Sequence, residues 1–267
     1  MDTIAGSRPW YAALTRRAFL RTGLLAATAP ALLGCRGVPT APDRRTNRLA
    51  ARPGPVETDT EPGEWRLGLG DDRDGLLYVP RSYDPARSWP LFVALHGATG
   101  NAAGWRSFFP AADEVGMVVL APESRGRTWD RVRGEFGPDV AFLDDALAHV
   151  FRRVPVDPAR ICLGGFSDGA SYALSLGVSN GDLFTHLVGF SPGFMDAAEP
   201  LVGSPGIWIS HGTADTILPV RQSRDLIVPA LREAGYDVTY REFDGGHQVP
   251  PDVAREALGW WTGRADP

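Results

Sequence analysis

Apolar residues along the chain fall into two alternating patterns. Near-continuous runs at Leu91–His96, Met117–Ala121, Arg160–Gly165, His186–Phe190 and Ile207–Ser210 read as strands covered on both faces. Between them, helical spacing predicts helices near Ala102–Val115, Val140–Arg152, Ala170–Val178 and Arg221–Ala234. Trp65–Leu69 and Leu76–Val79 flank Asp71-Asp72-Arg73-Asp74-Gly75, whose Asp-Gly pair signals a hairpin turn. Val238–Phe243 is a last strand and Val253–Trp261 a closing helix. Strands spaced by helices predict an α/β fold: a mostly parallel, eight-stranded twisted sheet with helices on both faces and no large lid. Ligands of such sheets collect beyond the carboxyl ends of the strands, so functional residues should stand just after a strand.

Before residue 64 this alternation is missing. Thr15-Arg16-Arg17-Ala18-Phe19-Leu20-Arg21 leads into the uncharged stretch Thr22–Gly34 of 13 residues. A span needs about 20 apolar residues, so residues 1–35 read instead as an export signal of the twin-arginine kind. Leu32-Leu33-Gly34-Cys35 is similar to a lipobox, which would make Cys35 a lipidation site. Residues 36–63 hold Pro39, Pro42, Pro53, Pro55 and Pro62 and read as a Pro-rich linker. Residues 64–267 are the folded domain, exported to the periplasm or cell surface and touching membrane only through a lipid anchor.

Composition narrows the partners. The 267 residues are 43% apolar and 22% charged, in the range of an ordinary globular domain. Net charge is −5 and all 27 basic residues are arginine, without a basic block, which argues against nucleic acid. The acidic hairpin at 71–74 lacks the bidentate Glu of a calcium loop. No metal or cofactor is called for. With Cys35 lipidated, Cys162 is left as a free thiol inside an apolar strand, so no disulfide framework is expected.

Two G-x-S-x-G matches compete for a nucleophile turn. Gly165-Phe166-Ser167-Asp168-Gly169 follows a strand and opens a helix, as a nucleophile elbow requires, and Asp168 can give its N–H to an oxyanion. In Gly189-Phe190-Ser191-Pro192-Gly193 the residue after serine is proline, which has no N–H. Ser167 is therefore the candidate nucleophile. A serine needs a histidine base, and the base a carboxylate to fix its tautomer. His247, in Asp244-Gly245-Gly246-His247 after the last strand, stands on a loop able to reach across the sheet. His96 and His211, each before a glycine at a strand end, read as braces of turns, His186 as structural and His149 as surface. Asp215, in His211-Gly212-Thr213-Ala214-Asp215, is the candidate acid ahead of Asp244 and Asp196. The loop His96-Gly97-Ala98-Thr99-Gly100-Asn101 offers the Ala98 N–H as second oxyanion donor.

These stretches, with Val79-Pro80 and Asp139-Val140-Ala141-Phe142-Leu143, resemble the α/β-hydrolase superfamily over about 170 residues. The likeness is to its polyhydroxybutyrate-depolymerase and feruloyl-esterase-like branch and to the phospholipase/carboxylesterase branch. The resemblance implies hydrolysis of carboxylic esters, small, aryl or short-chain hydroxyalkanoate-type, through an acyl-enzyme and without a cofactor. The cysteine pairing common near the active site of that branch cannot form here. Two other readings are an acyltransferase on an envelope or sugar acceptor and a non-catalytic tethered binding protein. Thr99 and Trp129 are candidate pocket residues. Trp129 sits in the loop Glu123–Pro138, whose four arginines are balanced by Glu123, Asp130, Glu135 and Asp139.

Overall fold

The computed structural model describes residues 47–58 and 60–263. The twin-arginine segment and Cys35 lie outside the described residues. Eight strands form one sheet in the order β1-β2-β4-β3-β5-β6-β7-β8. They are β1 (Gly63–Arg66), β2 (Gly75–Val79), β3 (Trp89–Leu95), β4 (Val118–Pro122), β5 (Val156–Phe166), β6 (His186–Phe190), β7 (Gly206–Gly212) and β8 (Val238–Phe243). β1 and β2 form the predicted hairpin, and β2 joins β4 antiparallel. From β4 through β8 every pairing is parallel. The α/β expectation of eight strands, mostly parallel, is borne out.

The helices are α1 (Phe109–Val115), α2 (Asp130–Arg133), α3 (Pro138–Phe151), α4 (Asp168–Gly177), α5 (Val228–Glu233) and α6 (Pro251–Thr262). Alternate strand residues feed two cores, one on each face of the sheet. Leu91, Val93, Leu95, Leu163, Leu187 and Ile209 pack with residues of α3, α4 and α5. Phe92, Ala94, Cys162, Val188, Phe190 and Trp208 pack with residues of α1 and α6. A fully buried Phe92 or Leu91 contributes roughly 1.5–3 kcal/mol relative to exposure, so continuous apolar runs in central strands follow directly.

Two predicted helices are subdivided, each near a proline. Ala102–Phe108 is a 3₁₀ helix that passes into α1 where Pro110, lacking an N–H, sits in the first turn. Gln222–Ile227 runs as a π-helix before α5, whose first turn holds Pro229. The described part of the stretch read as a linker departs further from expectation, because residues 47–52 pack against the domain. Leu49 is buried and its N–H donates to Asn180 Oδ1 (2.9 Å), while Asn180 Nδ2 donates to Asn47 O (2.8 Å). Arg48 and Arg52 both reach Asp182 (2.8 and 2.5 Å), and the N–H groups of Ala50 and Ala51 donate to Asp144 (2.7 and 2.8 Å). Polar anchors spaced along a proline-containing segment have no period for a pattern search to find.

Candidate active site

β5 ends at Phe166 and α4 begins at Asp168, leaving Ser167 alone to make the turn. Its φ of 59° and ψ of −120° lie where side-chain-bearing residues are rare, a strain of order 1–3 kcal/mol that the surroundings must hold. The Ser167 N–H donates to Phe190 O (2.9 Å), and the Ser167 carbonyl accepts from Ser171 N–H (3.0 Å). The glycines of the motif answer to space. A Cβ on Gly165 would run into the Gly169 carbonyl, and one on Gly169 into the carbonyls of Leu95 and His96. Only the bare backbone lets strand, turn and helix come this close.

The loop after β8 carries His247 over this turn. His247 Nδ1 lies 2.6 Å from Asp215 Oδ2, and His247 Nε2 lies 2.9 Å from Ser167 Oγ. A carboxylate accepts only, so Nδ1 holds the proton and donates to Asp215, leaving Nε2 to accept from the serine hydroxyl. The other carboxylate oxygen, Asp215 Oδ1, accepts from Ile217 N–H and Leu218 N–H, both at 2.9 Å. Burial pushes the Asp215 carboxyl up. The hydrogen bonds from His247, Leu218 and Ile217 outweigh it, so the group titrates below the ordinary carboxylate value. The loop end is fixed by Ala214 N–H donating to Gly245 O (2.9 Å). Phe166 backs the imidazole, ring centroids 4.7 Å apart.

A cavity of about 430 Å³ opens beside His247. Trp105, Phe108, Phe166 and Val249 give it apolar walls, and Gly97, Ala98 and Asn101 line it on the side of the loop after β3. That loop presses on the serine: a Cβ on Gly97 would stand 3.3 Å from Ser167 Cβ.

Known proteins are similar to this chain in sequence and in fold. The chain is 26% identical over 215 residues to feruloyl esterase C of Emericella nidulans, covering 67% of this chain and 77% of that one. It is 28% identical over 158 residues to a probable feruloyl esterase C of Aspergillus clavatus, spanning 55% of this chain and about half, 56%, of the relative. Fluorophosphonate-binding serine hydrolase F of Staphylococcus aureus superposes with a TM-score of 0.60 at 13% identity, covering 76% of this chain and 99% of its own. A ferulic acid esterase from Anaeromyces mucronatus, solved with ferulic acid, gives 0.55 at 16% identity, covering 83% and 94%. The chain is an esterase-like α/β-hydrolase. No protein-family model matches it.

Around this hydrolase's central three residues, the remaining sequence candidates sort unequally. Ala98 lines the cavity, and Asp168 opens α4, where first-turn N–H groups have no partner within the helix. The Asp168 carboxylate is turned aside to accept from Thr128 Oγ1 (2.6 Å). Trp129 does not line the cavity: it is fully buried, its Nε1 donates to His96 O (2.8 Å), and its ring packs on His96 and Tyr172. It anchors the loop from below, as a large ring with one polar atom does when that atom finds a buried acceptor. Thr99 is exposed beside the cavity rather than among its lining residues, and its N–H is tied to Arg127 O (2.7 Å). Asp196 pairs with Arg131 (2.7 Å), and Asp244 is exposed; neither is the carboxylate that meets His247. Ser191 is fully buried at the end of β6.

The Glu123–Pro138 loop closes on its own carboxylates. Asp139 accepts from Arg125 N–H (2.5 Å) and Asp130 N–H (2.6 Å), while Asp130 accepts from Gly137 N–H (3.0 Å) and Asp139 N–H (2.8 Å). Burial raises the Asp139 carboxyl to about 6. Arg125 lies over the Phe142 ring at 3.5 Å and Arg131 over Phe136 at 5.3 Å, so these cations pack rather than form an anion site. Trp105 and Phe108 escaped the sequence reading. Their spacing of three, directly after the glycine-rich loop, was the signal that places both on one face of the following helix.

Proposed function

We propose that this hydrolase is a serine carboxylic-ester hydrolase that works through an acyl-enzyme. The observation that carries the reading is the unbroken relay from Asp215 through His247 to Ser167, set at the mouth of an aromatic-walled cavity. Ser167 Oγ attacks the ester carbonyl carbon as its proton passes to His247 Nε2. The N–H groups of Ala98 and Asp168 hold the oxygen that becomes negative. Collapse breaks the ester C–O bond, and the imidazolium returns the proton to the departing alcohol. Water then attacks the acyl-enzyme with His247 again as base, releasing the acid and restoring Ser167.

The cavity favours small aryl or short-chain hydroxyalkanoate-type acyl groups, since Trp105, Phe108, Phe166 and Val249 offer flat apolar surface and about 430 Å³. The names of the Emericella and Anaeromyces relatives support the aryl side of that choice. Export by the N-terminal arginine pair and anchoring at Cys35 are part of the same proposal and rest on sequence alone; among the described residues no helix is long and apolar enough to cross a membrane.

Ser167→Ala tests the chemistry. Hydrolysis of p-nitrophenyl acetate should fall by about 10⁴-fold or more, and undiminished turnover would refute the mechanism. A panel of aryl and alkanoyl esters then ranks the acyl groups.

A further inference from the structure

Behind Asp215 stands a second histidine that the proton relay does not use. His211, next to last in β7, is fully buried. Its Nε2 lies 2.7 Å from Leu218 O, so that nitrogen carries the hydrogen and donates. The same nitrogen is 3.3 Å from Asp215 Oδ2, the oxygen that also accepts from His247. With Nε2 protonated, Nδ1 is left as an acceptor and takes the Ser223 hydroxyl at 2.7 Å. Ser223 is itself fully buried in the π-helix Gln222–Ile227, a wide-turn form that recurs at functional sites. Leu218 completes the circuit, because its N–H donates to Asp215 Oδ1. His211 therefore fastens the carbonyl of the very residue whose amide fastens the acid.

We propose that His211, held in its Nε2–H tautomer by the Leu218 carbonyl and seated on the Ser223 hydroxyl, is a positioning residue that orients Asp215 and moderates its negative charge toward His247. The proposal rests on the reading of Asp215 as the acid of the relay. A donor edge beside Oδ2 draws electron density away from the carboxylate, which lowers the basicity that the carboxylate lends to His247. Removing that edge should leave His247 easier to protonate, whereas mere loosening of the Asp215–His247 bond should make it harder. The two accounts thus differ in sign. The ionisable groups around His211 are Asp215, His247 and the Arg224–Glu242 pair, the last shared between the π-helix and β8 at 2.6 Å.

The experiment compares pH profiles of kcat/KM for p-nitrophenyl acetate in the full-length wild type, His211→Leu, His211→Gln and Ser223→Ala. His211→Leu should lose about 10- to 50-fold, chiefly in kcat, the scale of one hydrogen bond in a charged network. Its acid limb should move up by about half a pH unit. His211→Gln, whose amide can donate from the same reach, should recover most of the rate and the wild-type limb. Ser223→Ala, which leaves Nδ1 without its buried donor and loosens the ring beside Asp215, should move the limb in the same upward direction with a loss of about 3-fold. An unmoved or downward limb in His211→Leu, or a Gln variant no better than Leu, overturns the proposal. If circular dichroism shows His211→Leu unfolded, the Gln and Ser223→Ala variants decide, and a wild-type profile for Ser223→Ala then counts against the proposal. Ser167→Ala separates the two levels: its retaining activity would remove the relay itself, while its loss alongside unchanged His211 profiles removes only the positioning role.

Discussion

The dipeptide His-Gly closes two strands, β3 at His96-Gly97 and β7 at His211-Gly212, and the two corners use it with opposite polarity. At the first, Nδ1 of His96 donates to Gly97 O (2.7 Å), so Nε2 is the acceptor and receives Ser124 N–H (3.0 Å) and Arg73 Nη2 (3.1 Å). At the second, Nε2 of His211 donates and Nδ1 accepts. Identical residue types at equivalent ends of parallel strands thus hold different partners. His96 gathers donors to shape the loop that carries Ala98, with Arg73 also binding Gly100 O at 3.0 Å. His211 supplies a donor to the loop that carries Asp215. A brace at a strand end is therefore defined by its tautomer, and the tautomer by which ring nitrogen meets a backbone carbonyl.

Cutting each corner at the group it supports should separate their roles. The largest effect is expected on the acid side. Asp215→Asn leaves the loop in place but presents an amide to His247 and favours the wrong tautomer, so kcat should fall by about 10⁴-fold while KM changes little. A loss below tenfold would mean that the carboxylate is not what orients the imidazole. On the other side, Ala98→Pro removes one backbone N–H and should lower kcat by about 10²–10³-fold. Active-site titration with a fluorophosphonate would show whether Ser167 remains reactive in that variant; an unchanged kcat would place the oxyanion donor elsewhere.

The smallest effect is on stability, and both corners should share it. Burial, the largest cause for each, holds His96 and His211 below the ordinary histidine value of 6.5. Groups so depressed are neutral in the folded state and take up protons on unfolding. Their stabilisation is present above pH 6.5 and is lost as pH falls through and below it. Melting temperature should decline from pH 7 toward 5, and His96→Gln or His211→Gln should each flatten part of the decline. Because Asp139, raised to about 6, acts in the opposite direction over this range, the variants are read against the wild type, and profiles parallel to it would show that neither imidazole resists protonation.

Strand and helix alternation made the sheet legible, because continuous apolar runs admit little else when both faces are covered. The turn at Ser167 could be chosen over Ser191 from the strand before it, the helix after it and the missing N–H at Pro192. The loop positions of His247 and Asp215 followed from strand ends. What stayed hidden depends on partners distant in sequence. The hydrogen bond that buries Trp129 joins positions 33 apart, and those holding Leu49 and Ala50 to Asn180 and Asp144 join positions 131 and 94 apart. No local pattern records such pairings. The tautomers of His96 and His211 were likewise out of reach, since nothing in the sequence marks which ring nitrogen will meet the carbonyl of Gly97 or of Leu218.

The strap at residues 47–52 settles a question of direction. Helix α4 leaves the nucleophile and runs for ten residues, about 15 Å, and the strap docks just past its far end, on Ser179, Asn180 and Asp182. The first described residues are thus pinned to the domain at the end of α4 opposite the one that carries Ser167, so any force on them is delivered to the helix end farthest from the nucleophile turn.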